Sequence, residues 1–514
     1  MGKLEGYAWK PISQVLTENP PPSAGLTVSE KFPGALGYWC RFFMAVTVSK
    51  MIEDAIIVQH GPLGCNGAAR TFILEHYNQN FGHGFLHMPS TNMTQDQVIF
   101  GGEKNLEQTL LEVDRDYHPP LIIIHDNCCA GIIMDDIDGV VRRTQPKVKA
   151  KLLFLPSQGF STCFADNMSM NMPYFAEIME PPKEVRKDRV NILGTYKEVF
   201  SGCGHIKKEH KPHGDGLFTE WERRYPTDAH ELARYVEALG LTVHRVLMSG
   251  RYEYVRSAPE AAVNVNNCPA WGYPLGHAME QKFGTPMLNH AFPIGIEATK
   301  RWIYELADFT GRTNEANRFV QQEVEDLQPL WDKAKKMVKG RVALIEGVRN
   351  ALCATTKALA MARYAEELGM IPYIFNLQGV FITSKEYVVN YFNSDGVNPQ
   401  TLDGPYLFGF PVDITDVMAE LGLGQDDVVY FPTDVYDYAR AGKLDPSDSA
   451  RVNTGQPFRR ARHAPRYLGF RGTWAITRDL VEACDAAERH SKPTLYGRLL
   501  GDAFEFEKSA PKAH

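Results

Sequence analysis

Four cysteines stand where an apolar, strand-like run gives way to small or polar residues. Cys40 follows ALGYW, Cys65 follows IIVQHGPLG, Cys128 follows LIIIHDN, and Cys268 comes much later, after AAVNVNN. A thiolate at the carboxyl end of a buried strand is well placed to bind a soft metal. Three such positions within about ninety residues of the chain therefore predict an iron–sulfur cluster site.

Cys65 lies in a glycine-rich turn, HGPLGCNG. Gly61, Gly64 and Gly67 would let backbone N–H groups approach the sulfide of a cluster and tune its potential. Taken singly, each cysteine is better explained as a small buried side chain. Taken together, at the ends of successive strands, the three favour cluster ligation. Because three thiolates hold only half of a shared cluster, we expect a partner subunit to supply the others.

Cys128 is followed directly by a second thiol, Cys129. Adjacent side chains in an extended chain point to opposite sides, so we expect only one of the two to be a ligand. The residues alone leave open whether Cys129 contributes to a cluster.

Short β-branched runs alternate with longer amphipathic stretches along most of the chain, which predicts an α/β fold with parallel sheets flanked by helices. The predicted strands are 55–59, 121–125, 151–155, 190–193, 242–247, 261–266, 341–345, 372–376 and 427–431. The predicted helices include 229–239, 296–309, 317–338 and 356–368. Ligands collect at the carboxyl ends of strands in such sheets, which is where the cysteines are expected.

A chain of 514 residues is too long for one core, so three domains of ordinary size are expected. Two segments indicate domain boundaries. They are PPKEVRKDR (181–189), which is charged and contains prolines, and KKMVKGR (335–341). We predict three doubly wound units: 1–185 with the three early cysteines, 186–338 with Cys268, and 339–514 with the C-terminal segment.

The composition is that of a soluble globular protein, with 44% hydrophobic and 23% charged residues. A formal charge of −7 provides no basic surface, so nucleic acid is not an expected partner. No basic-then-apolar leader and no membrane-length apolar run are seen, so we expect no membrane association and a cytoplasmic location. Nine cysteines in a reducing compartment then point to metal binding or simple burial.

Several motifs recur in order along the chain: the 25-residue step from Cys40 to Cys65, HGPLGC itself, MTQDQVIFGGEKNLEQTLLEV, and CCAGIIMDDIDGV. With these motifs the chain resembles the nitrogenase component 1 superfamily over nearly its whole length. The resemblance implies three Rossmann-like domains and selects Cys128 rather than Cys129. It also implies a P-cluster-type eight-iron centre at a subunit interface, an α2β2 heterotetramer with a homologous sister subunit, and electrons from an ATP-dependent iron protein.

The segment NNCPAWGYPLGHAMEQKFGTP is similar to the one in which a cysteine of the family's catalytic subunit anchors the active-site cofactor. By this resemblance Cys268 would bind a large nitrogenase-cofactor-like cluster, with iron as its expected metal, and His463 would be the second ligand. The alternatives are a core cysteine that ends a strand and a surface histidine in an arginine-rich loop. The arginines, suited to an anionic cluster or to a solvated face, are Arg459, Arg460, Arg462 and Arg466.

The chain departs from nitrogenase where that family places polar groups beside its cofactor. In GFSTCFADNMSMNMPYF, Ala165 and Ser169 fall near the positions of a glutamine and a histidine, and Met168, Met170 and Met172 lie nearby. Dinitrogen reduction is therefore not expected, and the methionines indicate either a softer substrate or simple core filling. Within the family the chain most resembles methylthio-alkane reductases, which implies cleavage of C–S bonds in small thioethers to methanethiol and a hydrocarbon.

Three other functions stay open at this stage: an atypical nitrogenase, a non-catalytic scaffold for assembling the nitrogenase cofactor, and a tetrapyrrole reductase without a ligand at Cys268. The proton donor is not identified by the sequence. Tyr273, His277 and His290 are the candidates within reach of Cys268 along the chain.

Overall fold

The structure is a computed structural model that describes residues 9–10, 40–76, 88–160, 170–195, 228–248, 250–268, 272–290, 292–346, 352–377, 404, 406–408, 414–431, 450–451 and 468–491. Its strands are β1 (Trp9–Lys10), β2 (Ala55–His60), β3 (Leu121–Asp126), β4 (Lys151–Leu155), β5 (Arg186–Leu193), β6 (Thr242–Leu247), β7 (Ala261–Asn266), β8 (Met287–Asn289), β9 (Val342–Glu346), β10 (Ile371–Leu377), β11 (Tyr406–Phe408), β12 (Val428–Phe431) and β13 (Ala450–Arg451).

The α-helices of the described residues alternate with these strands. They are α1 (Arg41–Ser49), α2 (Leu63–His76), α3 (Gln95–Phe100), α4 (Glu103–Tyr117), α5 (Cys128–Ile133), α6 (Ile137–Thr144), α7 (Asp228–Ala238), α8 (Tyr252–Arg256), α9 (Gly272–Phe283), α10 (Ile296–Thr310), α11 (Thr313–Val338), α12 (Leu352–Glu367), α13 (Ile414–Leu421) and α14 (Gly469–Ser491).

The first sheet consists of β2, β3 and β4, all parallel, with β3 in the centre. All six residues of β3 are buried, as expected for a central strand covered on both faces. The register pairs Ala55 with Leu121 and Leu121 with Lys151, so the three strands start level with one another. The segments that follow them therefore leave the sheet along one edge.

The second sheet has the order β6-β5-β7-β8 and is parallel throughout. The third sheet has the order β1-β11-β10-β9-β12-β13. Its strands are parallel except β1, which pairs antiparallel with β11 (Trp9 opposite Leu407). In both sheets the strand order differs from the chain order, which is the doubly wound pattern produced by crossover helices.

The start of α14 is held by side chains of α7. Three backbone N–H groups at that helix start find acceptors there, which satisfies donors that have no partner within the helix. The pairs are Leu468 N–H to Asp228 Oδ1 (2.9 Å), Phe470 N–H to the Tyr235 hydroxyl (2.6 Å) and Arg471 N–H to Glu231 Oε1 (3.2 Å).

Glu231 is a fully buried carboxylate at the centre of this anchor. Burial tends to raise its pKa, but the ion pair with Arg234 (2.7 Å) outweighs burial and holds the pKa of Glu231 below its ordinary value. Arg234 also pairs with Glu323 of α11 at 2.7 Å, and the Tyr235 hydroxyl donates to Glu231 at 2.8 Å. The network therefore joins α7, α11 and α14.

The α/β class with parallel sheets that the sequence predicts is confirmed. All nine predicted strands are present, with small differences at their ends, while β1, β8, β11 and β13 were missed because two- or three-residue strands carry little periodicity. The domain boundaries stay a prediction. Trp9 and Lys10, in the first predicted unit, pair with a strand of the third sheet.

None of the described helices combines the length and the apolar character required to cross a bilayer.

Replacing Tyr235 by Phe removes a hydroxyl that accepts from Phe470 N–H and donates to Glu231. We expect the protein to lose about 1–3 kcal/mol of stability, because buried polar groups lose a partner. The measurement is the thermal unfolding midpoint. Tyr254→Phe, at a half-buried tyrosine whose ring packs under Arg245, is the matched control and should leave the midpoint unchanged. If Tyr235→Phe and Tyr254→Phe had the same unfolding midpoint, the conclusion that Tyr235 anchors α14 would be contradicted.

Candidate functional site

The three early cysteines all lie at the starts of helices. Cys40 is the N-cap of α1, Cys65 is the third residue of α2, and Cys128 is the first residue of α5. The sequence predicted strand ends, and for Cys65 and Cys128 a strand does end shortly before. Helix starts are the better description, because their free N–H groups and positive dipole end stabilise thiolates.

Two of these sulfurs meet at one point, the backbone of Gly159 just after β4. A Cβ atom at Gly159 would lie 2.7 Å from Cys40 Sγ and 3.3 Å from Cys128 Sγ. Each sulfur is thus within 3.3 Å of the same position, and only glycine leaves room for both. The sulfurs come from elements 88 residues apart in sequence, so this convergence is a property of the fold.

Cys65 belongs to the same group of thiols. Burial raises the pKa of the Cys65 thiol, and the nearby negative charge of Cys128, Cys40 and Cys129 raises it further. Burial likewise raises the pKa of Cys40, an effect that the backbone N–H groups at the start of α1 partly oppose. A bound cation would reverse this balance, because metal binding selects the thiolate form.

The donor set fits a cluster better than a single ion. Within the described stretches no three His, Cys, Asp or Glu side chains come close enough together to hold one metal ion. The thiols of Cys40, Cys65 and Cys128 are all half-buried. A cluster distributes its thiolates over several irons, so this spacing and the cradle at Gly159 fit an iron–sulfur group held by Cys40, Cys65 and Cys128.

Cys129 is also a half-buried thiol in this group. The prediction that only one of Cys128 and Cys129 is a ligand was based on an extended chain, and that reason is wrong, since α5 begins at Cys128. Adjacent helical side chains diverge by about 100° rather than pointing to opposite sides.

Gly159 is held in place by a buried carboxylate that the sequence reasoning missed. Asp126, the last residue of β3, accepts the backbone N–H of Ser157 at 2.6 Å and the side-chain amide of Gln158. Burial raises the pKa of Asp126 to about 6. The available signal was the polar pair that ends an otherwise apolar strand in LIIIHDN.

A second hydrogen-bond network joins the segments on either side of the cysteines. The ring of His60, at the end of β2, contacts Thr91 Oγ1 at 3.1 Å and Asp135 Oδ2 at 2.8 Å. Asp135 also accepts the backbone N–H of Gly102 before α4, at 3.0 and 3.1 Å. Burial lowers the pKa of His60 despite the neighbouring carboxylate. The network fixes the turn before Cys65 relative to the segment after α5.

Cys268 is a separate, buried position at the end of β7, with 3% of its surface exposed. Its N–H donates to Asn266 Oδ1 at 3.1 Å, and its carbonyl accepts N–H groups of Gly272 (3.0 Å) and Tyr273 (3.1 Å) at the start of α9. A Cβ at Gly194 would lie 2.6 Å from Cys268, so the end of β5 packs directly on this turn. The cysteine thus lies beside a helix start, as the sequence predicted.

The three proton-donor candidates lie in two places, two of them on α9 and one after β8. Tyr273 and His277 stack on α9 with ring centroids 5.9 Å apart, and His277 is half exposed. His290, after β8, is buried against Trp302, with Nδ1 3.2 Å from Glu305 Oε2, and burial lowers the pKa of His290 to about 3. Its imidazole is therefore neutral near pH 7.

His463 and the neighbouring arginines lie outside the described residues, as do Cys163, Ala165, Met168 and Ser169. Met170 is 44% exposed, whereas Met172 is buried in the core.

The start of α14 is also bonded to the segment that follows β8. Gly469 N–H donates to Pro293 O at 2.7 Å, and His290 N–H donates to Asn266 O at 3.0 Å, two residues before Cys268.

A family model described as nitrogenase component 1 type oxidoreductase matches residues 40–379. The nitrogenase iron–molybdenum cofactor biosynthesis protein NifE of Clostridium pasteurianum is 26% identical over 335 residues, 64% of this chain and 66% of that protein. NifE of Methanosarcina barkeri is 26% identical over 66% of this chain and 69% of that protein.

The nitrogenase molybdenum–iron protein alpha chain of Clostridium pasteurianum is 24% identical over 57% of this chain and 52% of its own length. This chain therefore spans about two thirds of the length of the cofactor-biosynthesis relatives and about half of the alpha chain. The solved structure "Nitrogenase Cp1 at pH 6.5" superposes with a TM-score of 0.65 over 89% of this chain and 94% of that chain at 15% identity, which shows a shared fold.

A methyl group at Gly159 would occupy the space between the Cys40 and Cys128 sulfurs. We therefore expect Gly159→Ala to lose most of the iron held by the early cysteines, measured by iron analysis and visible absorption after anaerobic purification. Gly424→Ala, in the segment before β12 of the third sheet, is the control, because a Cβ there meets only Asp427 Oδ2 at 3.2 Å, and it should retain its iron. Full iron content in Gly159→Ala would exclude a cluster at this point.

Proposed function

Because the chain belongs to the nitrogenase component 1 type oxidoreductase family, we propose that it is the cofactor-bearing subunit of a nitrogenase-like assembly. A relay iron–sulfur centre would be held by Cys40, Cys65 and Cys128, and a larger iron–sulfur cofactor by Cys268 and His463. The observation that carries the proposal is the convergence of the Cys40 and Cys128 sulfurs on Gly159.

The relay site differs in exposure from the Cys268 site. Its cysteines are half-buried, whereas Cys268 is enclosed. This exposure suits a P-cluster-type eight-iron centre whose other ligands come from a homologous sister subunit, in an α2β2 heterotetramer. When bound, such a centre supplies one-electron transfer, and the residues of this chain hold it and set its surroundings.

Large apolar side chains are exposed beside the relay site. Two lie on α3, one lies on α5, and one directly follows α5. They are Ile99 (69% exposed), Phe100 (84%), Ile132 (71%) and Met134 (85%). Exposed apolar clusters of this kind mark protein-binding surfaces. We assign this surface to an ATP-dependent iron protein, because an electron donor must dock next to the centre that it reduces and α5 itself carries Cys128.

For the larger cofactor we favour a role in cofactor assembly: the subunit holds an iron–sulfur cofactor while it is built and then passes it to an acceptor protein. The relatives named as cofactor biosynthesis proteins support this role. So does the replacement, by Ala165 and Ser169, of polar groups that the resemblance places beside a working cofactor. A site that only holds cargo does not need proton donors.

The second candidate is a reductase that cleaves methylthio-alkanes. Two electrons and two protons would convert a thioether R–S–CH3 into R–H and CH3–SH. The burial of Cys268 is the observation that favours it, because an enclosed cofactor is retained rather than released.

Two assays, one of cofactor transfer and one of catalytic turnover, distinguish the assembly role from the reductase role. The purified assembly is mixed with a nitrogenase component that lacks its cofactor, and separately with a small thioether, the iron protein and MgATP. An assembly role predicts that iron moves to the acceptor and that methanethiol does not exceed one equivalent per cluster. Many equivalents of methanethiol with iron retained would establish the reductase instead.

The Cys268→Ser variant is the internal control for both roles. It should lose the iron of the larger cofactor and keep the relay iron. Full metal content in this variant would exclude both roles, since neither is possible without the second site.

Replacing Phe100 by Ser tests the docking surface. We expect slower reduction of the relay centre by the iron protein and unchanged iron content, because the side chain is 84% exposed and supports no core. Stopped-flow absorption provides the rate. Phe309→Ser, at a 47% exposed phenylalanine of α10, is the matched control. If Phe100→Ser and Phe309→Ser were reduced at the same rate, the iron protein would have to dock at a different surface.

A further inference from the structure

Asn127 is the single residue between β3 and α5, directly before Cys128 and Cys129. It is the N-cap of α5 and only 1% of its surface is exposed. Its side-chain oxygen accepts the backbone N–H groups of Cys129 at 3.0 Å and Ala130 at 3.3 Å. Because capping needs an acceptor, these two bonds fix which end of the amide is oxygen, and the NH2 group must point away from the helix.

The NH2 group of Asn127 is buried, and no acceptor within the described residues meets full hydrogen-bonding geometry with Nδ2. The side chain that it approaches is the Cys65 thiol. Leaving a buried N–H donor without a good acceptor costs about 1–3 kcal/mol, and native proteins rarely do so. An iron–sulfur group bound at Cys65 would offer such an acceptor.

The nitrogen lies on the side of Cys65. A Cβ at Gly61, four residues before Cys65, would be 1.9 Å from Asn127 Nδ2, so the turn that carries Cys65 packs directly against the amide. The amide is close enough to the Cys65 thiol to lower its pKa in part. Asn127 thus touches two cysteine segments: it caps the helix that begins with Cys128 and faces the turn before Cys65.

We propose that Asn127 donates an N–H···S hydrogen bond to the iron–sulfur group at Cys65 and thereby raises its reduction potential. The proposal rests on the proposed function, since it needs a cluster between Cys40, Cys65 and Cys128. Each added electron increases the negative charge on the cluster sulfurs, so a fixed donor stabilises the reduced form more than the oxidised form. Asn127 acts as a positioning residue and not as an iron ligand.

Two substitutions test the role of the Asn127 nitrogen while they keep an oxygen that can cap α5. Asn127→Ser keeps an oxygen suited to capping α5 and removes the NH2 group. Asn127→Asp keeps the capping oxygens and places negative charge where the donor was. We expect the midpoint potential of the relay centre to become more negative in the order wild type, Asn127→Ser, Asn127→Asp.

The measurement is an EPR-monitored redox titration of the purified assembly, with iron determined on the same samples. For Asn127→Asp we expect the ratio of reduced to oxidised centre at a fixed potential to fall about tenfold, which is about 59 mV for one electron. Asp136→Ser is the control: Asp136 caps α6 by accepting Gly139 N–H at 2.8 Å, and changing it should leave the potential as in the wild type.

The outcomes distinguish this inference from the proposed function. A wild-type assembly with no cluster overturns the proposed function itself. A wild-type cluster, together with variants that keep both their iron and the wild-type potential, overturns only the role of Asn127. Loss of iron from both variants at an unchanged unfolding midpoint also overturns that role, because a tuning donor is not needed for binding.

Discussion

The packing of two sulfurs against the backbone of one glycine is the constraint on which the candidate site depends. Cys128 and Gly159 lie near each other because α5 and the segment after β4 leave the first sheet at the same edge. Cys40 reaches them from the start of α1, the helix that precedes β2. The level register of β2, β3 and β4 creates that edge. Asp126 then holds the 157–159 segment, because its carboxylate accepts the Ser157 backbone N–H and the Gln158 side-chain amide. An ordinary parallel sheet thus brings together thiols from distant parts of the sequence.

The two cysteine sites differ in the way that their proposed roles require. The early cysteines are half-buried and lie beside exposed apolar side chains, so partner proteins can complete and reach them. Cys268 is buried in the second sheet, where Asn266 and Gly194 determine the shape of its turn. A centre that exchanges electrons benefits from access, whereas a centre that protects a reactive cofactor benefits from enclosure.

Much of this organisation could be predicted from the sequence, because long buried strands such as LIIIHD carry an unmistakable apolar run and the cysteines directly follow them. The helix starts at Cys40 and Cys65 were not predicted, since glycine and cysteine have no strong helical preference. Gly159, Asp126 and Asn127 were missed for a different reason. The roles of Gly159 and Asp126 arise from contacts between segments about thirty or more residues apart, and a single sequence contains no record of such contacts. Asn127 caps α5 through contacts two and three residues away, but its packing against Gly61 is of the long-range kind.

The antiparallel pairing of β1 with β11 has a consequence for the time course of folding. Trp9 leaves the ribosome almost four hundred residues before its partner Leu407, so the two strands cannot meet until residue 407 of 514 has been made. Closing so long a loop is entropically costly and slow. The edge of β11 that pairs with β1 stays unprotected during that interval, when it is open to pairing with another chain. Trp9 and Lys10 therefore shield this edge of the third sheet once they pair with β11.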